Sequence, residues 1–371
     1  MSIQKATRHV IDTLSASKLT GALPAIDGSA LTGIVSIEKA TADPTITANK
    51  SLGTIWLNKS TGEMFACTDA TNNANKWTNI GGGSGDVEPY SFQGTVSGYA
   101  SGGYPNGYPS SNVIEKYSYA SDANATDVGD LVVGVDFIAG QSSITHGYTS
   151  GGYTGSGSPR NEIQRFSFLA DGNATDIANL TVARYGLCGQ SSATHGYSSG
   201  GNSSNVIDKF TFASINDATD VGDTTGTKTY SAGQSSSSHG YISGGDGPID
   251  IIEKFAFASD GNSTDVGDIT VARANPTGQS STTHGYTSGG GPTSDVVDRF
   301  PFASDTNASD VGNLTSARQY PAGSSSTTHG YSAGGQSTVN IIDKFTYAAS
   351  ANATDVGDLT VGRWVTAGQQ Y

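Results

Sequence analysis

The chain has 371 residues, a formal net charge of -14 and only 14% charged residues, an acidic balance that repels phosphate backbones and excludes nucleic-acid binding. Its two cysteines fall in different expected domains, which excludes a disulfide framework and a cysteine-based metal site. No stretch approaches the ~18 apolar residues of a membrane span, and the N-terminus lacks the apolar core of a secretory signal.

In chain order, residues 1–35 form an attachment segment. Ile3, Val10, Ile11 and Leu14 lie near one face of a helix over 3–14, too short to be stable alone, so it packs on a partner or on copies of itself. The stretch 18–34 has no helical period and reads as a connector. Residues 36–80 are expected to be a small β module, with strands at 55–57 and 64–67 around a Ser-Thr-Gly turn, a third starting at Trp77, and a core of Trp56 and Trp77. A Gly-rich linker follows at 81–87.

From 88 to 371 one unit repeats. Its anchor, Gly-Tyr-x-x-Gly-Gly, recurs at Tyr99, Tyr148, Tyr197, Tyr241, Tyr286 and Tyr331, with spacings of 49, 49, 44, 45 and 45 residues. That period holds four short strands and their turns. The Gly-Tyr strand stops at two glycines and is followed by a β-branched and aromatic run such as NVIDKFTFA (205–213). A polar turn such as SDGNSTD (259–265) and a VGDLTVAR-like segment then lead into a small-residue strand such as SAGQSSSS (231–238). Small residues suit an innermost strand, where neighbours crowd. An additional copy of that strand, WVTAGQQY at 364–371, is expected to enter the first repeat and remove an exposed sheet edge. The expected fold is all-β: a six-bladed β-propeller closed by the C-terminal strand, behind the helix and small β module.

The order of strands, together with Arg184, Arg273, Arg318 and Arg363, resembles the kelch repeat over about residues 88–371, with Asp-Val-Gly-Asp where that family carries an outer-strand Trp. Residues 18–83, through ALPAIDGSALTGI and GTIWLNKSTGE…KWTNIG, resemble segments of bacteriophage tail fibres. The second resemblance implies a virion location, an N-terminus attached to other tail or neck proteins, an outward propeller, and a homo-oligomer, often a trimer.

Candidate chemistry is repetitive. His146, His195, His239, His284 and His329 occupy one repeat position, where equivalent residues spread around a ring and do not converge on an ion; they read as turn residues. The acidic turns, such as Asp122-Ala-Asn-Ala-Thr-Asp127, lack the strict calcium-loop pattern. The acids Glu115, Asp208, Glu253, Asp298 and Asp343 are expected to meet the repeated arginines between blades. No nucleophile elbow, zinc spacing or phosphate loop is present, so neither an enzyme nor a cofactor is expected. The useful asymmetry is loop length: the loops at 104–113 and 153–162 are longer than those of the other repeats and belong to neighbouring blades. Tyr104, Asn106, Tyr108, Tyr153 and Arg160 are therefore the candidate receptor-binding residues, for a host-surface glycan or protein. The alternatives are a polysaccharide-degrading propeller enzyme and a structural collar or baseplate piece.

Overall fold

The computed structural model describes residues 37–80, 92–105, 109–155, 157–202, 204–292, 294–337 and 339–371. The chain divides into two units, Met1–Pro89 and Tyr90–Tyr371. Every regular element among the described residues is a β-strand. The expected helix with Ile3, Val10, Ile11 and Leu14 lies outside the described residues, as do the connector 18–34 and the linker 81–87.

In the first unit, β1 (Ile37–Ala40), β2 (Ile55–Asn58), β3 (Met64–Asp69) and β4 (Lys76–Asn79) form one sheet in that order. Strand β1 is an addition to the three expected strands. It pairs parallel to β2 at the sheet edge, and its sequence, Ile-Glu-Lys-Ala, is too short and too polar to show a strand period. Phe65, Cys67 and Trp77 are buried, and Trp56 packs edge-on against Trp77 at 5.8 Å between ring centroids. The indole Nε1–H groups of Trp56 and Trp77 donate to the carbonyls of Ala42 (2.9 Å) and Thr45 (3.1 Å), which ties down the irregular segment after β1.

The second unit opens with β5 (Ser97–Ser101), β6 (Tyr104–Pro105), β7 (Val113–Ser118) and β8 (Thr126–Asp130). The last strand of the chain, Ala367–Gln370, pairs antiparallel with β5, so sheet I runs Ala367–Gln370, β5, β7, β8. Five more four-stranded antiparallel sheets follow among the described residues, each one repeat long. Their innermost strands are Ala139–Ser142 (sheet II), Cys188–Ser191 (III), Ala232–Ser235 (IV), Thr277–Ser280 (V) and Ala322–Ser325 (VI). In the third strand of each repeat a bulge shifts the register; in Val206–Thr211 it falls between Ile207 and Asp208 and leaves both buried in succession.

Each sheet contacts the next in the same way, and sheet VI contacts sheet I in that way too. The anchor tyrosine stacks on an aromatic of the following sheet: Tyr99 on Phe168, Tyr148 on Phe212, Tyr197 on Phe257, Tyr241 on Phe302, Tyr286 on Tyr347 and Tyr331 on Tyr119, all at 4.7–4.9 Å. The inner-strand glutamines reach across the same gap, as where Gln141 Nε2 donates to the Tyr197 carbonyl and Gln369 Nε2 to that of Tyr148, both at 3.0 Å. In sheet VI Ser324 stands in place of glutamine, and there the facing sheet supplies Tyr117 and Tyr119, whose hydroxyls lie 2.7 and 2.9 Å from Ser324 Oγ. The inner strands approach so closely that a Cβ on Gly140, Gly189, Gly233, Gly278, Gly323 or Gly368 would overlap the carbonyl oxygen of the equivalent glycine one sheet earlier.

Buried ion pairs hold the connectors. The expected meeting of acids with arginines occurs for four of the five acids, and Glu253 meets a lysine instead: Arg184–Asp208 (3.0 Å), Lys228–Glu253 (2.8 Å), Arg273–Asp298 (2.6 Å), Arg318–Asp343 (2.8 Å) and Arg363–Glu115 (2.5 Å) each join the connector arriving from one sheet to the third strand of the next. At Arg184 the contact is one of charge, since Nη1 makes no hydrogen bond while Nη2 donates to the Ser198 carbonyl. A threonine of the same connector also donates to the acid, as Thr270 Oγ1 does to Asp298 at 2.6 Å. The junction of sheets I and II departs from this rule in all three members. Val132 and Val135 take the places of Thr and Arg, and the acid becomes Gln164, which accepts only from the Val132 backbone N–H at 2.7 Å. A carboxylate left there without a cation would be buried and unpaired, so its loss matches the loss of the arginine.

Arg318→Val is therefore expected to destabilise the second unit by about 3–5 kcal/mol, through an uncompensated Asp343. Adding Asp343→Gln, which copies the neutral junction, should recover most of that in thermal unfolding.

Gly233→Ala is expected to lower the melting midpoint strongly, because the Gly189 carbonyl it meets is backbone and cannot rotate away. The matching change at half-buried Gly226, where a Cβ meets nothing, should leave it within a degree or two.

Candidate functional site

Each connector turns into its inner strand through one residue of left-handed conformation. These are Phe137 (φ 53°), Gly186 (70°), Tyr230 (58°), Asn275 (59°), Tyr320 (60°) and Val365 (56°). Bulky residues avoid this region, at a cost of about 1–3 kcal/mol each, unless the surroundings over-determine them. Here the surroundings are a closed circuit of backbone hydrogen bonds. Phe137 N–H donates to Val365 O, Val365 to Tyr320, Tyr320 to Asn275, Asn275 to Tyr230, Tyr230 to Gly186, and Gly186 back to Phe137, at 2.7–3.1 Å.

Around this circuit large and smaller residues alternate. Phe137, Tyr230 and Tyr320 hold alternate positions, and their rings meet at 5.0 Å (Phe137–Tyr230), 5.7 Å (Tyr230–Tyr320) and 5.8 Å (Phe137–Tyr320). They form a lid over a channel of about 110 Å³ lined by inner-strand residues, room for several waters at the ~10–15 Å³ each requires. At the far end of the channel Phe92 lines it, Gln93 Nε2 donates to Ser280 O (2.8 Å) and Gly94 N–H to Ser325 O (2.8 Å). The unit's first described residues thus cross one end of the channel and the aromatic lid covers the other.

Two more rings widen the lid. Trp364 lies 5.2 Å from Tyr320 and 6.2 Å from Phe137; Tyr185 lies 6.0 Å from Phe137 and 6.4 Å from Tyr230. All five are half-buried, so each keeps part of its ring in solvent. Burial raises the Tyr230 phenol pKa, with further contributions from Tyr185, Tyr320, Asp246 and Asp136; burial and then Asp246 raise that of Tyr320. Both phenols are therefore neutral hydrogen-bonding groups at physiological pH.

Two of the candidate residues join this cluster. Tyr104, in β6, pairs with the Arg363–Trp364 strand and sets its ring 5.5 Å from Trp364. Tyr153 bridges to Asp136 and Pro159 and lies 5.0 Å from Tyr185. They do not touch each other; Trp364, Phe137 and Tyr185 link them. Arg160 is engaged elsewhere, in a forked ion pair with Glu162 (Nε to Oε2 2.9 Å). Asn106 and Tyr108 lie outside the described residues. The sequence reading overlooked Phe137, Tyr185, Tyr230, Tyr320 and Trp364, although each stands two or three residues ahead of the Ala-Gly-Gln-type strand and breaks the small-residue rule there.

Between the two long loops runs a cleft of about 690 Å³, bounded by Pro109, Ser110 and Asn112 on one side and Val133, Gly134 and Thr154 on the other. Behind it sits Asp136, 4% exposed, with Oδ2 accepting from Ser110 Oγ at 2.8 Å and Oδ1 buried without a partner. Burial raises its pKa and the Ser110 hydrogen bond opposes that rise.

The repeated polar groups on the opposite face serve the architecture. Each histidine Nδ1 lies 2.8 Å from the hydroxyl of the preceding Thr or Ser, and its backbone N–H takes a serine three residues back. The imidazole partner is thus the side chain of the adjacent residue, which suits the expected turn role. In four of the acidic turns the first Asp pairs with a lysine of the neighbouring sheet, as Asp260 does with Lys209 (2.5 Å), and the Asn caps a backbone N–H there, as Asn262 does for Asp223 (3.0 Å).

No protein-family model matches the chain, and no curated protein matches its sequence.

Partial burial pulls all five repeat histidines below their ordinary value of 6.5. The folded state then favours the neutral ring, so stability is full above pH 6.5 and falls as pH drops below it. Melting midpoints are expected to be lower at pH 5.5 than at 7.5, and replacing the five histidines by Gln should flatten that dependence.

Proposed function

We propose that this chain is a non-enzymatic virion appendage protein, a bacteriophage tail fibre or similar structure, whose second unit is a six-bladed, kelch-like β-propeller that binds a host-surface glycan or protein. The observation that carries the reading is the seven-ring aromatic surface Tyr104–Trp364–Phe137–Tyr320–Tyr230–Tyr185–Tyr153 at one end of the axial channel. Half-exposed aromatic rings supply rigid contact area at little entropic cost, and phenol and indole edges add hydrogen bonds. The left-handed strain at Phe137, Tyr230, Tyr320 and Val365 supports it further: such strain concentrates where a site needs it, and glycine already occupies the equivalent Gly186.

The six-bladed reading draws on the inter-sheet circuits, in which sheet VI meets sheet I as every other pair meets. Adhesion in preference to hydrolysis draws on the repeated carboxylates, which are committed to cations or caps. The aromatic surface lies at the channel end opposite Phe92–Gly94, where the chain enters the unit. That polarity suits a domain held by its N-terminal side and presenting the lid outward. Residues 1–35 are proposed to attach it to neighbouring tail or neck proteins, in an oligomer such as a trimer, where copy number multiplies weak contacts.

The test is Tyr230→Gly with Tyr320→Gly. Glycine tolerates the left-handed backbone, so the melting midpoint should hold or rise, while adsorption of the purified protein to host cells falls by about tenfold or more. Unchanged adsorption would remove the aromatic surface from the receptor contact, and absence of the protein from purified particles would overturn the virion reading.

A further inference from the structure

The residue that follows each glycine pair stands beside the aromatic lid. These six are Tyr104, Tyr153, Asn202, Asp246, Gly291 and Gln336. Five of them donate their backbone N–H to the connector residue just before the left-handed one: Tyr153 to Asp136 O, Asn202 to Tyr185 O, Asp246 to Thr229 O, Gly291 to Ala274 O and Gln336 to Gln319 O, at 2.6–2.9 Å. The sixth, Tyr104, pairs with Trp364, which holds the same connector position. Together they form a rim around the lid. The rim is aromatic over sheets I and II, at Tyr104 and Tyr153, and polar over sheets III, IV and VI, at exposed Asn202, Asp246 and Gln336.

Asp246 is the one charged member of this rim, and it enters no ion pair among the described residues. Its carboxylate is close enough to act on the lid: burial and then Asp246 raise the Tyr320 phenol, and Asp246 adds to the burial-led rise at Tyr230. The cations of this face are committed elsewhere. Arg160 is paired with Glu162, while Arg184, Lys228, Arg273, Arg318 and Arg363 are buried in pairs of their own. The field over the lid is therefore negative, which repels phosphate and uronate and attracts cations. A cation also gains from the faces of Tyr and Trp rings, so the aromatic surface and the carboxylate favour the same ligand. An uncharged sugar would use the rings and leave Asp246 without a partner.

We propose that the lid and its polar rim are a subsite for an amino sugar of a surface glycan, one that carries a free, protonated primary amine. The ammonium donates to the Asp246 carboxylate, a charge-assisted hydrogen bond of the stronger kind. The apolar face of the same sugar lies on the half-buried rings of Tyr230 and Tyr320, and the glycan continues over the aromatic arc toward Tyr104 and Tyr153. The inference rests on the adhesin reading and narrows its ligand to a glycan with unacetylated amines.

The experiment is calorimetric titration of the full chain, at about pH 6 where an amine is protonated, with oligomers of glucosamine and, at matched length, of N-acetylglucosamine and glucuronate. The glucosamine oligomer should bind about tenfold more tightly than its acetylated counterpart, with that advantage shrinking as salt rises, and the uronate should bind weakest. Asp246→Asn keeps a turn-forming side chain before Gly247, so the melting midpoint should hold while the preference for the amine falls to about twofold or less. Asp176→Asn removes the same charge from an exposed site in the outer strand Thr175–Asn179 and should leave the preference intact. Equal binding of the amine and acetylated oligomers, a preference that survives Asp246→Asn, or an equal loss in Asp176→Asn overturns the subsite. If no oligomer binds while the parent chain still adsorbs to host cells, the subsite fails and the adhesin reading stands. Failure of the parent to adsorb at all removes the reading beneath it.

Discussion

The structure depends on how closely its six inner strands approach one another. Six glycines, from Gly140 to Gly368, each face a carbonyl of the neighbouring strand at a separation that admits no side chain. One turn earlier in the chain, six N–H groups and six carbonyls close the hydrogen-bond circuit from Phe137 through Val365. Both requirements are met only when every strand is present, because each strand supplies the donor for one neighbour and the acceptor for the other. This explains why the last four-residue strand, Ala367–Gln370, belongs to sheet I: without it β5 would have no inner partner and both circuits would be open.

From that crowding the remaining architecture follows outward. Inner strands of Ala, Gly and Ser cannot supply a large apolar core, so apolar burial moves to the spaces between sheets, where tyrosines stack on the aromatics of the next repeat. Further out, buried Arg–Asp pairs fix the connectors. Such pairs gain less from attraction than their low-dielectric surroundings suggest, since both ions lose hydration. Their contribution is geometric: a carboxylate that takes an arginine, a threonine hydroxyl and a backbone N–H permits only one path for the connector, as at Asp298.

The same crowding creates the site. A circuit of left-handed residues stands at the channel end, and alternate positions in it carry large side chains. Phe137, Tyr230 and Tyr320 fill them, so a device needed for closure also gathers aromatic surface. The one junction freed of its ion pair, at Val135 and Gln164, is the junction where the loops lengthen and a carboxylate is buried beside a cleft.

The sequence by itself determined the period, the four strands of each unit, the small-residue inner strand and the return of the C-terminal copy to the first sheet. These are local or repetitive signals, and a repeat states its structural rule six times. It also pointed to the long loops, and through them to Tyr104 and Tyr153. It did not reveal β1 of the first unit, whose four polar-flanked residues become a strand only by pairing with β2. Nor did it bring Phe137, Tyr185, Tyr230, Tyr320 and Trp364 together, since they are spread over five repeats of the chain. Their convergence was decided by tertiary structure alone, because the distance between side chains on different sheets is set by how the inner strands close on their axis.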